Sequence, residues 1–174
     1  MSDNTQSQIN QYLTFSLDSE IFAQSISEVR EVLEYATITR IPKTPEFMLG
    51  VINLRGNAVP VIDMRLKLGL PKTERTVDTC IIITEVQMEE GENIFGALVD
   101  SVHEVMEIDQ DTLEPTPKIG TKIDSSFIRG MAKQDDGFIM LLDIVKIFSD
   151  NELNTIQKTT EDQIEEEKME VLTT

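Results

Sequence analysis

The 174-residue chain is poor in the residues that carry most protein chemistry: it has one cysteine, one histidine and no tryptophan. Its single thiol, Cys80 in the apolar run Cys80-Ile-Ile-Ile83, supplies no disulfide framework, and one thiol with one imidazole is too small a donor set for zinc. Any Ser/His/Asp or Cys/His constellation would have to use His103, which alternates with Val102 and reads as a surface strand position. Basic residues are scarce as well, 15 against 32 acids, and a formal charge of −17 repels phosphate backbones and anionic membrane surfaces. Two tyrosines offer little on which to stack bases or sugars. Gly50 to Gly56 lacks the Lys-Ser/Thr of a phosphate loop, Asp109-Gln-Asp111 is too sparse for calcium, and Glu89-Glu-Gly-Glu92 reads as a hairpin tip. No cofactor and no metal are expected. No apolar run approaches bilayer length, and Met1 to Asn10 has no apolar signal core, so the expectation is a cytoplasmic, reduced protein.

What is present is strand pattern. Residues 1–10 read as a disordered lead, 11–150 carry the apolar pattern, and 151–174 form an acidic tail. From Asp150 onward there are eight acids against Lys158 and Lys168. Tyr12–Leu17 reads as a strand ending in a turn at Asp18-Ser19-Glu20. Val51–Leu54 and Val59–Ile62 flank Arg55-Gly56-Asn57, a hairpin signal because Gly and Asn tolerate positive φ. Pro60 cannot donate to a ladder, which places that strand at an edge there. Ile81–Thr84, Ile94–Val99 and Phe138–Leu142 are further strands. Asp63 and Asp143 stand as N-caps of two short helices, Met64–Leu68 and Ile144–Phe148. Ser25 and Glu28 have capping-box spacing, leaving a helical turn or a strand end open there.

The chain is also duplicated internally. Ile21, Phe22, Val29, Glu31, Val32 and Glu34 recur as Ile94, Phe95, Val102, Glu104, Val105 and Glu107 at a constant offset of 73. Phe47, Gly50 and Asp63 recur as Phe127, Gly130 and Asp143 at an offset of 80. The reading is two copies of one small, roughly five-stranded β unit, approximately residues 11–75 and 76–150, packed together because a unit so small buries little apolar area alone. Residues that repeat serve the common fold, and Phe22, Phe47, Phe95 and Phe127 are assigned to the core. Residues that differ between copies are where specialisation can sit, and only the first hairpin tip carries an Arg beside a Gly.

The segment Phe47-Met-Leu-Gly-Val-Ile-Asn-Leu-Arg-Gly-Asn-Ala-Val-Pro-Val-Ile-Asp-Met-Arg65 resembles the signature of CheW-like chemotaxis coupling domains. Ile26–Leu33, Ile41-Pro42 and Gly96-Ala-Leu-Val-Asp-Ser-Val102 extend the resemblance over about residues 11–150. It implies a mainly β fold of two intertwined SH3-like five-stranded β-barrels with a few short helices, and no catalysis. It implies an adaptor that couples the cytoplasmic tips of transmembrane chemoreceptors to the regulatory domain of the histidine kinase CheA, recruited to membrane-associated arrays. The family pattern places receptor contacts at Val29, Glu31, Gly50, Arg55 and Gly56, and a kinase contact near Ile119. The residues alone leave rival roles open. Val29 is repeated by Val102 and fits core packing. Glu31 is repeated by Glu104 and fits an internal partner for Arg55. Gly50 and Gly56 fit backbone demands. Two alternative functions stand beside the adaptor: a coupling protein of a non-chemotactic array, such as one for surface motility, and a carboxylate-based enzyme.

Overall fold

In the computed structural model, residues 9–88, 91–116 and 125–147 are described. Ten strands dominate: β1 (Ile9–Leu17), β2 (Glu20–Ser25), β3 (Val29–Glu34), β4 (Met48–Leu54), β5 (Asn57–Asp63), β6 (Cys80–Met88), β7 (Gly91–Val99), β8 (Ser101–Asp109), β9 (Ile128–Gln134) and β10 (Gly137–Leu142). Two four-residue helices, α1 (Met64–Lys67) and α2 (Ile144–Ile147), each follow an Asp. Asp63 accepts from the backbone N–H groups of Arg65 and Leu66, and Asp143 from that of Lys146, satisfying donors that a helix start leaves unpaired. Ser25 caps a single 3-10 turn, Ile26–Glu28, between β2 and β3, so both sequence options hold there.

The strands form two five-stranded sheets, ordered β8-β1-β2-β10-β9 and β3-β6-β7-β5-β4. Each closes on itself by the same device. The chain leaving edge strand β3 pairs with the opposite edge, Thr39 and Val51 exchanging two backbone bonds of 2.8 Å. The chain leaving β8 does likewise, Glu114 with Met131 at 2.8 and 2.9 Å. The duplication extends to such details. The Asp63 N–H donates to the Phe47 carbonyl at 2.8 Å and the Asp143 N–H to the Phe127 carbonyl at 2.9 Å, at the offset of 80 read from the sequence.

The sheets do not follow the sequence halves 11–75 and 76–150. One sheet is continuous, using strands between Val29 and Val99, while the other joins β1 and β2 to β8, β9 and β10. The reason lies in the repeated block itself. Residues 21–34 and 94–107 each straddle a crossing from one sheet to the other, so a split by length falls inside a sheet. Ile9 and Asn10 already belong to β1, which shortens the expected lead. The rest of that lead and the acidic tail lie outside the described residues. Pro60 sits in an interior strand, because β5 has β4 and β7 as neighbours. Its pairing with β7 begins only at Val61, however, so at Pro60 the strand has a partner on one side and the missing N–H costs no ladder bond there.

Three apolar clusters follow from strand alternation. Ile52, Val59, Val61, Ile81 and Ile83 fill the continuous barrel. Tyr12, Ala23, Ile108, Ala132, Ile139 and Leu141 fill the composite one. The largest cluster lies between them, where Phe15, Phe22, Leu17, Ile62, Ile82 and Phe95 are nearly or fully buried. Each such side chain contributes about 1.5–3 kcal/mol on burial, so the joint between barrels is a core in its own right. Phe47 and Phe127 are partly buried and pack against this cluster. Among the described residues no helix is long and apolar enough to cross a membrane.

Candidate functional site

The distinctive chemistry sits at one mouth of the continuous barrel. The β4–β5 hairpin turns through two residues with positive φ, Arg55 at 52° and Gly56 at 88°, the geometry that matches the natural twist of a two-residue hairpin. Asn53 stabilises the turn by accepting from the Gly56 N–H at 2.8 Å through its side-chain oxygen. The turn throws the Arg55 side chain back across the mouth to Glu31 on β3. Both guanidinium N–H groups donate to the two carboxylate oxygens, at 2.7 and 2.8 Å. This fork geometry is the one in which Arg recognises a carboxylate most specifically. It holds the Glu31 carboxyl below its ordinary range and the Arg55 guanidinium above its own. Arg55 remains 71% exposed, so the pair is a surface feature with its cation still accessible.

Below the pair lies an open groove of about 620 Å³. Leu54, Val59, Ile83 and Ile94 form its apolar floor, and Arg30 and Glu92 complete its charged rim. Arg30 reaches Glu85 at 3.4 Å. Glu85 and Glu92 lie close enough to share one proton, which raises the Glu85 carboxyl and lowers that of Glu92, and Glu92 also accepts from the Gln87 side-chain amide at 2.8 Å. The groove therefore combines apolar surface with fixed charges of both signs, as a docking cleft for a protein element does. Among the described residues, no group of three or more His, Cys, Asp or Glu side chains could hold a metal ion.

Three of the five residues expected at a receptor contact, Glu31, Arg55 and Gly56, come together here. Val29 does not join them. A β-bulge between Val29 and Glu31 sets Val29 opposite Thr84 and Glu31 opposite Ile83, so two residues that should share a face point apart. Val29 packs against the core between the barrels. Gly50 is buried, with φ +149°, and an added Cβ would lie 2.0 Å from the Thr39 carbonyl oxygen. Its demand is barrel closure. Gly56 is exposed with open space around it, and its demand is the turn. Ile119 lies outside the described residues. His103 is exposed on β8 and hydrogen-bonds the Ser16 hydroxyl at 2.5 Å.

The composite barrel repeats the bulge, where β8 slips against β1 between Leu13 and Phe15, but not the ion pair. Glu104 occupies the place of Glu31, and Asp135 that of Arg55, so the two positions carry like charges. The bidentate clamp belongs to the first copy alone.

Sequence reasoning did not single out Arg65. Its side chain is only 10% exposed, donating to Asp100 at 2.5 Å, Asp18 at 3.0 Å and the Pro71 carbonyl at 2.8 Å. Its counterpart at the offset of 80 is Val145, so the comparison of copies that picked out Arg55 also marks Arg65.

Comparison with known proteins gives a consistent result. The CheW-like domain model matches residues 11–152. The chain is 32% identical over 140 residues to a probable chemotaxis protein CheW from Rhizobium etli, covering 80% of this chain and 88% of that one. It is 33% identical over 141 residues to the chemotaxis protein CheW of Thermotoga maritima, covering 79% and 87%. Among solved structures, the scaffolding protein TtCheW from Thermoanaerobacter tengcongensis aligns with a TM-score of 0.71 and 40% identity, covering 82% of this chain and 90% of that one.

Proposed function

The chain belongs to the CheW-like family of chemotaxis coupling scaffolds, and from that premise we propose that it joins the cytoplasmic tips of transmembrane chemoreceptors to the regulatory domain of the histidine kinase CheA. The role is non-catalytic and cytoplasmic, with recruitment to membrane-associated receptor arrays through the bound partner. The observation that carries the receptor assignment is the Arg55–Glu31 clamp over an apolar groove, present in one barrel and absent from its repeat. A receptor's helical tip offers the apolar stripe such a floor accepts, while the clamp sets register and the apolar contact supplies most of the affinity. In this reading Glu31, Arg55 and Gly56 meet the receptor directly. Val29 and Gly50 act on it through the backbone and the inter-barrel packing that shape the groove. A kinase contact near Ile119 remains part of this reading, on residues outside those described.

The test is a calorimetric titration against the kinase regulatory domain and against a receptor hairpin tip. Wild type should bind both. Arg55→Glu should weaken receptor binding about tenfold or more and slow association, while kinase affinity stays within error. A swapped pair, Glu31→Arg with Arg55→Glu, controls for loss of internal pairing: stability should recover and receptor binding should not. Recovery of both would make the clamp purely structural. Failure to bind either partner would overturn the coupling role.

A further inference from the structure

The barrel mouth that carries the Arg55 clamp is overhung by a ribbon that the other barrel lacks. Phe22 and Phe95 are equivalent at the offset of 73, and each faces a residue of the preceding strand, Phe15 or Thr84. Beyond those pairs β1–β2 continues for two more and β6–β7 for four. The ladders with β3 and β5 stop at Thr84 and Gly96, so the extension stands clear of both neighbouring strands. One of its faces is fixed, because Val86 and Phe95 are buried in the core between the barrels. The other face continues the rows that fill the barrel. Along β6, Ile81 and Ile83 lead on to Glu85 and Gln87, and along β7, Ile94 leads back to Glu92. The rows change from apolar to carboxylate where the strands leave the barrel.

This change gives the groove two unlike walls. In the closed order β3-β6-β7-β5-β4, the seam where β4 meets β3 carries Arg55 and Glu31, and β7 is the strand farthest from that seam. At the seam the Arg55–Glu31 fork is closed on itself. On the far wall Glu92 lines the groove, and Glu85 is its diagonal neighbour across the ladder. Like charges so placed repel one another. Arg30, 55% exposed, lies 3.4 Å from Glu85, and Glu92 accepts from the neutral Gln87 amide. One Arg against two Glu leaves a unit of negative charge on this wall. A cation set between Glu85 and Glu92 relieves their repulsion, and the apolar floor beneath holds the segment that brings it.

We propose that the Glu85/Glu92 wall selects a helical partner segment carrying a Lys or Arg at the edge of its apolar stripe, with the stripe lying on Leu54, Val59, Ile83 and Ile94. The base lies against β7, and Arg55 on the facing wall repels it from the other side, so the groove fixes which flank of the segment faces which wall. This inference rests on the reading of the groove as a docking cleft and adds the charge its occupant carries.

The test uses the full chain and three helical peptides that share one apolar stripe and differ at a single flanking position, Lys, Gln or Glu. Calorimetric titration should rank them in that order, with Lys about fivefold tighter than Gln, the upper range for an exposed ion pair. In Glu85→Gln/Glu92→Gln the Lys and Gln peptides should bind equally. An acidic chain attracts any cation at long range, so Glu107→Gln/Asp136→Asn removes the same charge from the composite barrel as a control, and there the preference for Lys should persist. Equal binding of the Lys and Gln peptides to wild type, no binding of any peptide, or a preference that survives in Glu85→Gln/Glu92→Gln would overturn the proposal. So would equal loss of the preference in both double variants. The receptor hairpin tip is titrated in parallel. A tip that binds wild type and Glu85→Gln/Glu92→Gln alike overturns the proposal and leaves the coupling role standing. A tip that fails to bind while the peptides keep their order overturns the receptor assignment and leaves the charge selection standing.

Discussion

Arg65 brings one nearly buried positive charge to three pieces of chain: the β1–β2 turn through Asp18, the β7–β8 turn through Asp100, and the loop after α1 through the Pro71 carbonyl. Asp100 also accepts from the Asp18 backbone N–H at 2.9 Å, so the two turns are tied to each other as well. Removing the cation leaves two carboxylates facing one another. Because Asp18 and Asp100 are still 39% and 29% exposed, water recovers part of the loss. Arg65→Ala should therefore destabilise by roughly 2–3 kcal/mol, below the 3–5 kcal/mol of a fully buried pair. A urea midpoint indistinguishable from wild type would show that the hub contributes nothing. Arg55 makes the contrasting case, since its pair with Glu31 is exposed and solvent-screened and should contribute little to stability. Its effect should appear in binding.

At the scale of an element, the closing bridges depend on two equivalent glycines that are not equally strained. At Gly50 the backbone takes φ +149°, and a Cβ would strike the Thr39 carbonyl oxygen at 2.0 Å. At Gly130 a Cβ would meet the Leu113 Cβ at 3.1 Å and the Glu114 carbonyl oxygen at 3.4 Å, with no positive φ. Gly50→Ala should thus cost more than about 3 kcal/mol, combining backbone strain with overpacking. Gly130→Ala should cost about 1 kcal/mol, because a side chain can yield where a backbone cannot. Denaturant unfolding of the two variants side by side checks the order, and equal losses would contradict it. Both positions could be picked out in the sequence as a repeated Gly at an offset of 80. The difference between them could not, because it depends on which atoms of the closing segment pass overhead.

At the scale of the whole molecule, the chain begins in one barrel, builds the second, and returns to complete the first. Residues 1–75 contain β1 to β5, which leaves β3 without β6 and β5 without β7. Residues 76–174 likewise hold β8 without β1 and β10 without β2. Neither half has a contiguous core, so each fragment alone should be unfolded by circular dichroism and amide dispersion, and an equimolar mixture should recover the native spectrum. A cooperative transition in either fragment alone would contradict that. For the same reason the intact chain should unfold in one step, because the inter-barrel core belongs to both barrels.

What the sequence determined by itself is local. The alternation of apolar residues marks the strands, Asp63 and Asp143 mark the helix starts, and turn residues mark the hairpins at Asp18-Ser19 and Arg55-Gly56. Self-similarity revealed the duplication and singled out Arg55. The strand, cap and turn signals survive in one dimension because they depend on neighbours within a few residues, and the duplication survives because it compares one stretch of sequence with another and needs no contact between them. Tertiary structure alone decided which strands pair, that a bulge turns Val29 away from Glu31, and that Arg55 grips Glu31 from 24 residues away. It also decided that Arg65 joins Asp18 and Asp100. These facts depend on how two closed sheets share strands and a core, and the partner of a strand edge or a buried charge is set by that long-range closure.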